Sequence, residues 1–180
     1  VRRRAVRYGS GSYDEIEHYP LASAASGADL DRHPWPDPAW FDYEVLPERI
    51  RGARAVRDRA VMVMNGNIFE SAWYMRGFEQ MLVDALTDQE LFLGVMERVT
   101  RFYESVFARV RDAARGAVDL VFTADDIGDQ RGLLLPLDLW ARLIAPFHRR
   151  LNRVIHDRGA RVIYHSDGAV MEAVGALVEV

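Results

Sequence analysis

The chain has 180 residues, of which 49% are hydrophobic and 11% aromatic, so it is long and apolar enough to bury a sizeable core. Its formal net charge of −4 gives no electrostatic reason to bind a nucleic-acid backbone, and no apolar run approaches the roughly 20 residues of a membrane helix. We therefore expect a globular, cytoplasmic protein that binds neither nucleic acid nor membrane.

Two residue types are missing, and each absence removes a kind of chemistry. There is no Cys, so these residues supply no thiolate nucleophile, no disulfide and no sulfur ligand for zinc. There is no Lys, so they form no Schiff base. All 23 basic residues are therefore Arg, which is more typical of a coding bias than of selection for anion binding.

Residues 1–47 carry five of the seven prolines and turn-rich pieces such as Gly-Ser-Gly-Ser at 9–12, which predicts loop-dominated structure. After them, three short apolar runs alternate with helical patterns, as is typical of βα units in a parallel sheet. The chain begins at Val1 and stops within an apparent helix at Val180. We therefore expect one domain, 1–180, that is part of a longer protein.

The first predicted strand is 60–64, which ends in an Asn-Gly-Asn turn and is followed by a predicted helix over 69–86. The next helix is the clearest element of the sequence. Thr87 and Glu90 form a capping box at its start, and Gly116 ends it.

Two adjacent carboxylates, Asp125 and Asp126, follow the second predicted strand, 118–123. Neighbouring carboxylates can bind a metal, hold a cationic centre or act as acid and base. Successive side chains of an extended segment point to opposite faces, so we expect only one of the two to enter a site. The alternative is that one or both cap the following turn.

The next predicted helix begins at Pro136, is kinked at Pro146 and ends before Gly159. It is rich in Arg. We expect its two histidines, His148 and His156, to be solvated and assign them no role.

The third predicted strand, 161–164, leads into His165 and Asp167, and another helix starts near Ala169. The two-residue spacing places His165 and Asp167 on one face, where they could share a ligand or a metal ion or transfer protons near neutral pH. The alternative is structural: a hydrogen-bonded His165 at the rim of the sheet and an Asx turn at Asp167 before Gly168.

Polar side chains also follow the first strand. Asn65, Glu70 and Tyr74 are candidates for substrate binding, although an Asn-Gly-Asn turn and a helical Tyr are each more often structural. The glycine-rich motifs that cradle nucleotides and the nucleophile elbow of hydrolases are absent. A doubly wound sheet and a barrel both fit the local pattern, and both place ligands at the C-terminal ends of strands.

Three segments carry a resemblance to a known family: 65–79, Phe-Thr-Ala-Asp-Asp-Ile-Gly-Asp-Gln-Arg-Gly-Leu at 122–133, and Val-Ile-Tyr-His-Ser-Asp-Gly at 162–168. They resemble uroporphyrinogen decarboxylase-like proteins over most of the chain. The resemblance implies a (β/α)8 TIM-barrel, of which this chain is the central part. It also implies catalytic residues (Asp126, His165, Asp167), substrate-binding residues (Asn65, Glu70, Tyr74, Asp125, Gln130) and metal ligands (His165, Asp167).

The superfamily holds porphyrinogen decarboxylases and methyltransferases that use zinc and exchange methyl groups with corrinoid carriers. The methyltransferase branch typically has His-x-Cys-Gly where this chain has His-Ser-Asp-Gly at 165–168, so Asp167 stands at the Cys position. The decarboxylase branch has Asp-Gly there, and it carries a Thr before the Tyr that Tyr74 resembles, which is missing here. The sequence falls between the two branches.

We favour a methyltransferase-like enzyme that moves a methyl group between a small methylated substrate and a corrinoid or folate carrier, with zinc as the expected metal. The first alternative is decarboxylation of uroporphyrinogen or a related acid in porphyrin biosynthesis, which needs no cofactor. The second is a non-catalytic barrel that binds a corrinoid or a protein partner.

Overall fold

The structure is a computed structural model that describes residues 1–157 and 159–180. Two short 3-10 turns, Pro38–Trp40 and Met171–Ala173, accompany its helices and strands. In chain order, the strands and helices are β1 (Arg2–Tyr8), β2 (Gly11–His18), α1 (Gly27–Arg32), α2 (Leu46–Val56), β3 (Met62–Met64), α3 (Ile68–Arg76), α4 (Phe78–Thr87), α5 (Gln89–Ala114), β4 (Leu120–Ala124), α6 (Leu137–Leu143), α7 (Ala145–His156), β5 (Arg161–His165) and α8 (Val174–Val178).

The sheet that positions the site has three parallel strands in the order β3, β4, β5. Met62 lies opposite Leu120, and Phe122 lies opposite Ile163. Helices α3 to α5 connect the first pair of strands, and α6 and α7 connect the second. The predicted parallel βα arrangement is confirmed, and the C-terminal ends of all three strands therefore lie along one edge.

The core lies between this sheet and the helices. Val121 and Thr123 of β4 are buried on the helical side, and α5 supplies the longest buried face. On the opposite side of the sheet Met62, Met64 and Ile163 are exposed. The described residues thus form a two-layer α/β fold. None of their helices is both long and apolar enough to cross a membrane.

The N-terminal segment differs from the expectation of loop-dominated structure. Strands β1 and β2 form an antiparallel hairpin whose register runs from Arg2 opposite His18 to Tyr8 opposite Gly11. Gly9, at φ 49°, lies in the tight turn, so the Gly-Ser-Gly-Ser sequence belongs to a hairpin rather than to a long loop. Between β2 and α2 the chain is irregular apart from α1 and the 3-10 turn Pro38–Trp40.

Two helix predictions were wrong in detail. The helix predicted over 69–86 is two helices, because Gly77 adopts φ 104° and interrupts it. The N-cap of α5 is Asp88, whose carboxylate accepts a hydrogen bond from the amide of Leu91 (3.1 Å). The hydroxyl of Thr87 donates instead to a carbonyl of the preceding turn, so it makes no capping box.

The other boundaries shift by a few residues. The helix predicted from Pro136 is interrupted at Ile144, where Pro146 begins the second piece as an early helical residue. Strand β5 extends to His165, which is therefore the last strand residue. The helix expected near Ala169 begins with a 3-10 turn at Met171–Ala173.

Candidate functional site

Asp125 is completely buried at the end of β4, and its carboxylate caps α3. Oδ2 accepts a hydrogen bond from the amide of Phe69 (2.9 Å), and Oδ1 accepts one from the amide of Glu70 (2.8 Å). The N-cap residue of α3 itself, Asn67, makes no capping bond with its side chain. A negative charge at amides that lack a helical partner stabilises a helix N-terminus, so Asp125 joins β4 to α3.

His148 lies against Asp125 and is buried, with a relative exposure of 1%. Its Nε2 is 2.8 Å from Oδ2 of Asp125, and its ring packs edge-on against Tyr164. The expectation that His148 is solvated was wrong. Ile144 and Leu151, which lie one helical turn before and after His148, are both fully buried. This spacing places His148 on the apolar face of α7, and it is the sequence pattern from which the burial of His148 could have been predicted. His156 is exposed, as expected.

Glu70 is buried beside Asp125, and hydrogen bonds occupy both of its carboxylate oxygens. Oε2 accepts from Nδ2 of Asn67 (2.8 Å) and from the hydroxyl of Tyr74 (3.4 Å), and Oε1 accepts from the amide of Asp126 (3.0 Å). Burial raises the pKa of the Glu70 carboxyl, and the hydrogen bonds from Asn67 and Asp126 oppose that rise. Burial also raises the pKa of Tyr74. Glu70 thus holds the backbone of Asp126.

Three further side chains meet at the C-terminal edge of the sheet: Asp126, His165 and Asp167. One ligand atom from each lies within 4.8 Å of the other two. Nε2 of His165 is 3.5 Å from Oδ1 of Asp167, and the Asp167 amide donates a hydrogen bond to Oδ1 of Asp126 (2.7 Å). Asp126 is half-buried and the other two are exposed. One imidazole nitrogen and two carboxylate oxygens form a donor set for a divalent cation.

The remaining predicted substrate-binding residues have separate positions. Asn65 follows β3 at φ 112°, and its Oδ1 accepts from the amide of Gly66 (3.0 Å) and the hydroxyl of Tyr103 (3.3 Å). Gln130 is exposed in the loop whose ends, Gly128 and Leu133, pair in an isolated bridge. Their roles in substrate binding stay predictions.

Ser166 and Gly168, neither of them a predicted site residue, hold the loops after β4 and β5 together. Ser166 Oγ accepts a hydrogen bond from the amide of Ile127 (3.1 Å). Gly168 has φ 91°, and a Cβ there would lie 2.6 Å from the backbone of Gly128. Only a glycine allows this approach, which fixes the loop that carries Asp167 against the loop that carries Asp126.

The fold and the site define a class: a parallel α/β protein with a carboxylate and histidine cluster at the C-terminal edge of its sheet. The fold is similar to that of a methyltransferase from Methanosarcina mazei, with a TM-score of 0.63 and 14% sequence identity. The similarity covers 98% of this chain and 50% of that protein, so this chain spans about half the length of the structure it matches. No protein-family model matches the sequence, and no curated protein matches it.

Proposed function

We propose that the chain is part of a (β/α)8-barrel enzyme, related to uroporphyrinogen decarboxylase-like proteins, that transfers a methyl group between a small methylated substrate and a corrinoid or folate carrier. The observation that carries the proposal is the cluster of Asp126, His165 and Asp167 at the C-terminal ends of parallel strands. Barrel enzymes place their active sites at this end of the strands. The similarity in fold to a methyltransferase supports the same function.

The cluster fits a zinc ion. Zinc in catalytic sites takes three protein ligands and leaves a fourth position for the substrate, and nitrogen and carboxylate oxygen are both suitable donors. The three donor atoms already lie within 4.8 Å of one another. When bound, zinc would supply a Lewis acid that favours the deprotonated form of a substrate thiol.

Contacts within this chain hold two of the three donors, Asp126 and His165, in place. The amide of Asp167 orients the carboxylate of Asp126, and Glu70 holds the backbone of Asp126 from the other side. The ring of His165 stacks on Phe122 at a centroid distance of 5.7 Å, which restricts its rotation. Such supporting contacts keep a site ordered for its ligand and tune metal affinity.

The proposal is tested by measuring zinc content and methyl transfer from methylcobalamin to a small thiol on the same preparations of the full protein. We expect His165→Ala and Asp167→Asn to lower both zinc content and methyl transfer, because each removes a donor. His156→Ala, which changes an exposed histidine of α7, is the matched control and keeps both. Full zinc content and activity in the two site variants would refute the proposal.

A second candidate is decarboxylation of a porphyrinogen or a related acid. It is favoured by the two carboxylates at the C-terminal edge of the sheet, since Asp126 and Asp167 could stabilise a protonated pyrrole without a cofactor. In that case His165→Ala and Asp167→Asn fold normally, leave metal content unchanged and lower decarboxylase turnover by the ~10²–10⁴-fold typical of acid–base groups. If the full protein shows neither methyl transfer nor decarboxylation, the remaining alternative is a non-catalytic barrel.

A further inference from the structure

A cavity of about 240 Å³ lies between α3, α5, the segment that joins α1 to α2, and Val1. Its walls include four aromatic rings and are otherwise mainly apolar. An apolar cavity of roughly 150 Å³ holds one benzene molecule, so this volume accommodates a substituted aromatic ring. The residues of the wall that matter here are Trp35, Ser71, Tyr74, Val99, Phe102 and Tyr103.

Contacts outside the cavity hold its rings in position. Nε1 of Trp35 donates a hydrogen bond to the carbonyl of Leu30 (2.8 Å), and the rings of Phe102 and Tyr103 pack edge to face at 5.5 Å. Tyr103 is buried on the long helix α5. The cavity is therefore formed before any ligand arrives, which lowers the entropic cost of binding.

The polar atoms of the wall favour a ligand that donates a hydrogen bond. The hydroxyls of Ser71 and Tyr103 are 2.8 Å apart, and the Tyr103 hydroxyl is 3.3 Å from Oδ1 of Asn65. The amide of Gly66 also donates to this oxygen, which identifies it as an acceptor. Tyr103 therefore donates to Asn65, and Ser71 donates to Tyr103. Both hydroxyl protons are used, and the oxygen lone pairs remain as acceptors.

We propose that this cavity binds an aromatic molecule with one hydroxyl group, which donates a hydrogen bond to Ser71 or Tyr103. The ring packs among Trp35, Tyr74 and Phe102, where aromatic pairs add to the burial of apolar surface. None of these wall residues belongs to the cluster of Asp126, His165 and Asp167, and the proposal does not depend on a bound metal.

Calorimetric titration of the full protein with phenol and benzene tests this proposal. Phenol differs from benzene only by the hydroxyl group that donates a hydrogen bond. We expect phenol to bind about fivefold more tightly than benzene, the factor for one ordinary hydrogen bond. Equal affinities for phenol and benzene, or tighter binding of benzene, would overturn the proposal.

Two variants locate the binding to this cavity. Ser71→Ala with Tyr103→Phe keeps the shape but removes both acceptors, so it should retain benzene binding and abolish the preference for phenol. Val99→Phe fills the cavity and should weaken both ligands at least tenfold, while Val83→Phe, on the exposed side of α4, is the matched control. If Val99→Phe fails to fold, the double variant decides alone, and a preference for phenol that survives in it overturns the proposal.

Discussion

Asp125 and Glu70 link the end of β4 to the start of α3 by two hydrogen bonds. The Asp125 carboxylate accepts one from the Glu70 amide (2.8 Å), and the Glu70 carboxylate accepts the other from the amide of Asp126 (3.0 Å). The end of the strand and the start of the helix are thus fixed to each other in both directions. Asp126 is held through its backbone, which leaves its carboxylate in the cluster with His165 and Asp167.

The two adjacent aspartates should respond differently to the same substitution. Asp125→Asn removes a charge that accepts two buried amides and contacts His148, so it should lower the free energy of unfolding by about 2–4 kcal/mol. Asp126→Asn, at a half-buried position, should cost less than about 1 kcal/mol but lower activity more in the folded protein. Urea unfolding beside activity measurements checks both. Equal stability losses, or a larger activity loss per folded molecule from Asp125→Asn, would reverse the assignment.

Gly168→Ala should disrupt the contact between the two site loops. A Cβ at this position would lie 2.6–2.8 Å from backbone atoms of Gly128 and Asp129, so the loops must separate. Gly116→Ala is the control: its φ is also positive (78°), but a Cβ there meets no atom within 4 Å. We expect Gly116→Ala to cost about 1–2 kcal/mol, the conformational cost alone, and Gly168→Ala to cost more. Similar midpoints of thermal unfolding in the two variants would contradict the close approach.

Asp119 should contribute stability that depends on pH. The amide of Val61 donates to its carboxylate (2.7 Å), and Arg54 pairs with it (2.7 Å); both lower the pKa of Asp119. A carboxyl whose folded pKa is depressed stabilises the fold above its unfolded pKa, about 3.9, and this contribution is lost as the pH falls through the folded value. Asp119→Asn should therefore destabilise the protein more at pH 7 than at pH 2.5. Chemical denaturation at the two values measures this, and a loss independent of pH would contradict it.

The local features of the fold could be read from the sequence, whereas contacts between distant segments could not. Three apolar runs, each followed by polar residues and a helical pattern, predicted the parallel strands and the edge where Asp126 and His165 lie. The partner of Asp125 could not be predicted in this way, because Phe69 is 56 residues away along the chain. Only the packing of α3 on the sheet brings the two together.

Other predictions were wrong because two local sequence patterns pointed to different structures. His148 stands among arginines, which favoured a solvated position, yet its helical spacing from Ile144 places it in the core. Thr87 and Asp88 are both good capping residues, and sequence alone does not decide which of two neighbours caps a helix. Closure of a barrel requires more parallel strands than the three of this sheet and stays a prediction.

The most direct test of the metal centre is an anomalous diffraction map recorded at the zinc edge, from crystals of the full protein grown with zinc. We predict a single strong peak between the strand ends of β4 and β5, about 2.0–2.2 Å from one oxygen of Asp126, one nitrogen of His165 and one oxygen of Asp167. A map with no peak at this position, or with zinc bound only at exposed sites such as His156, would contradict the proposed site.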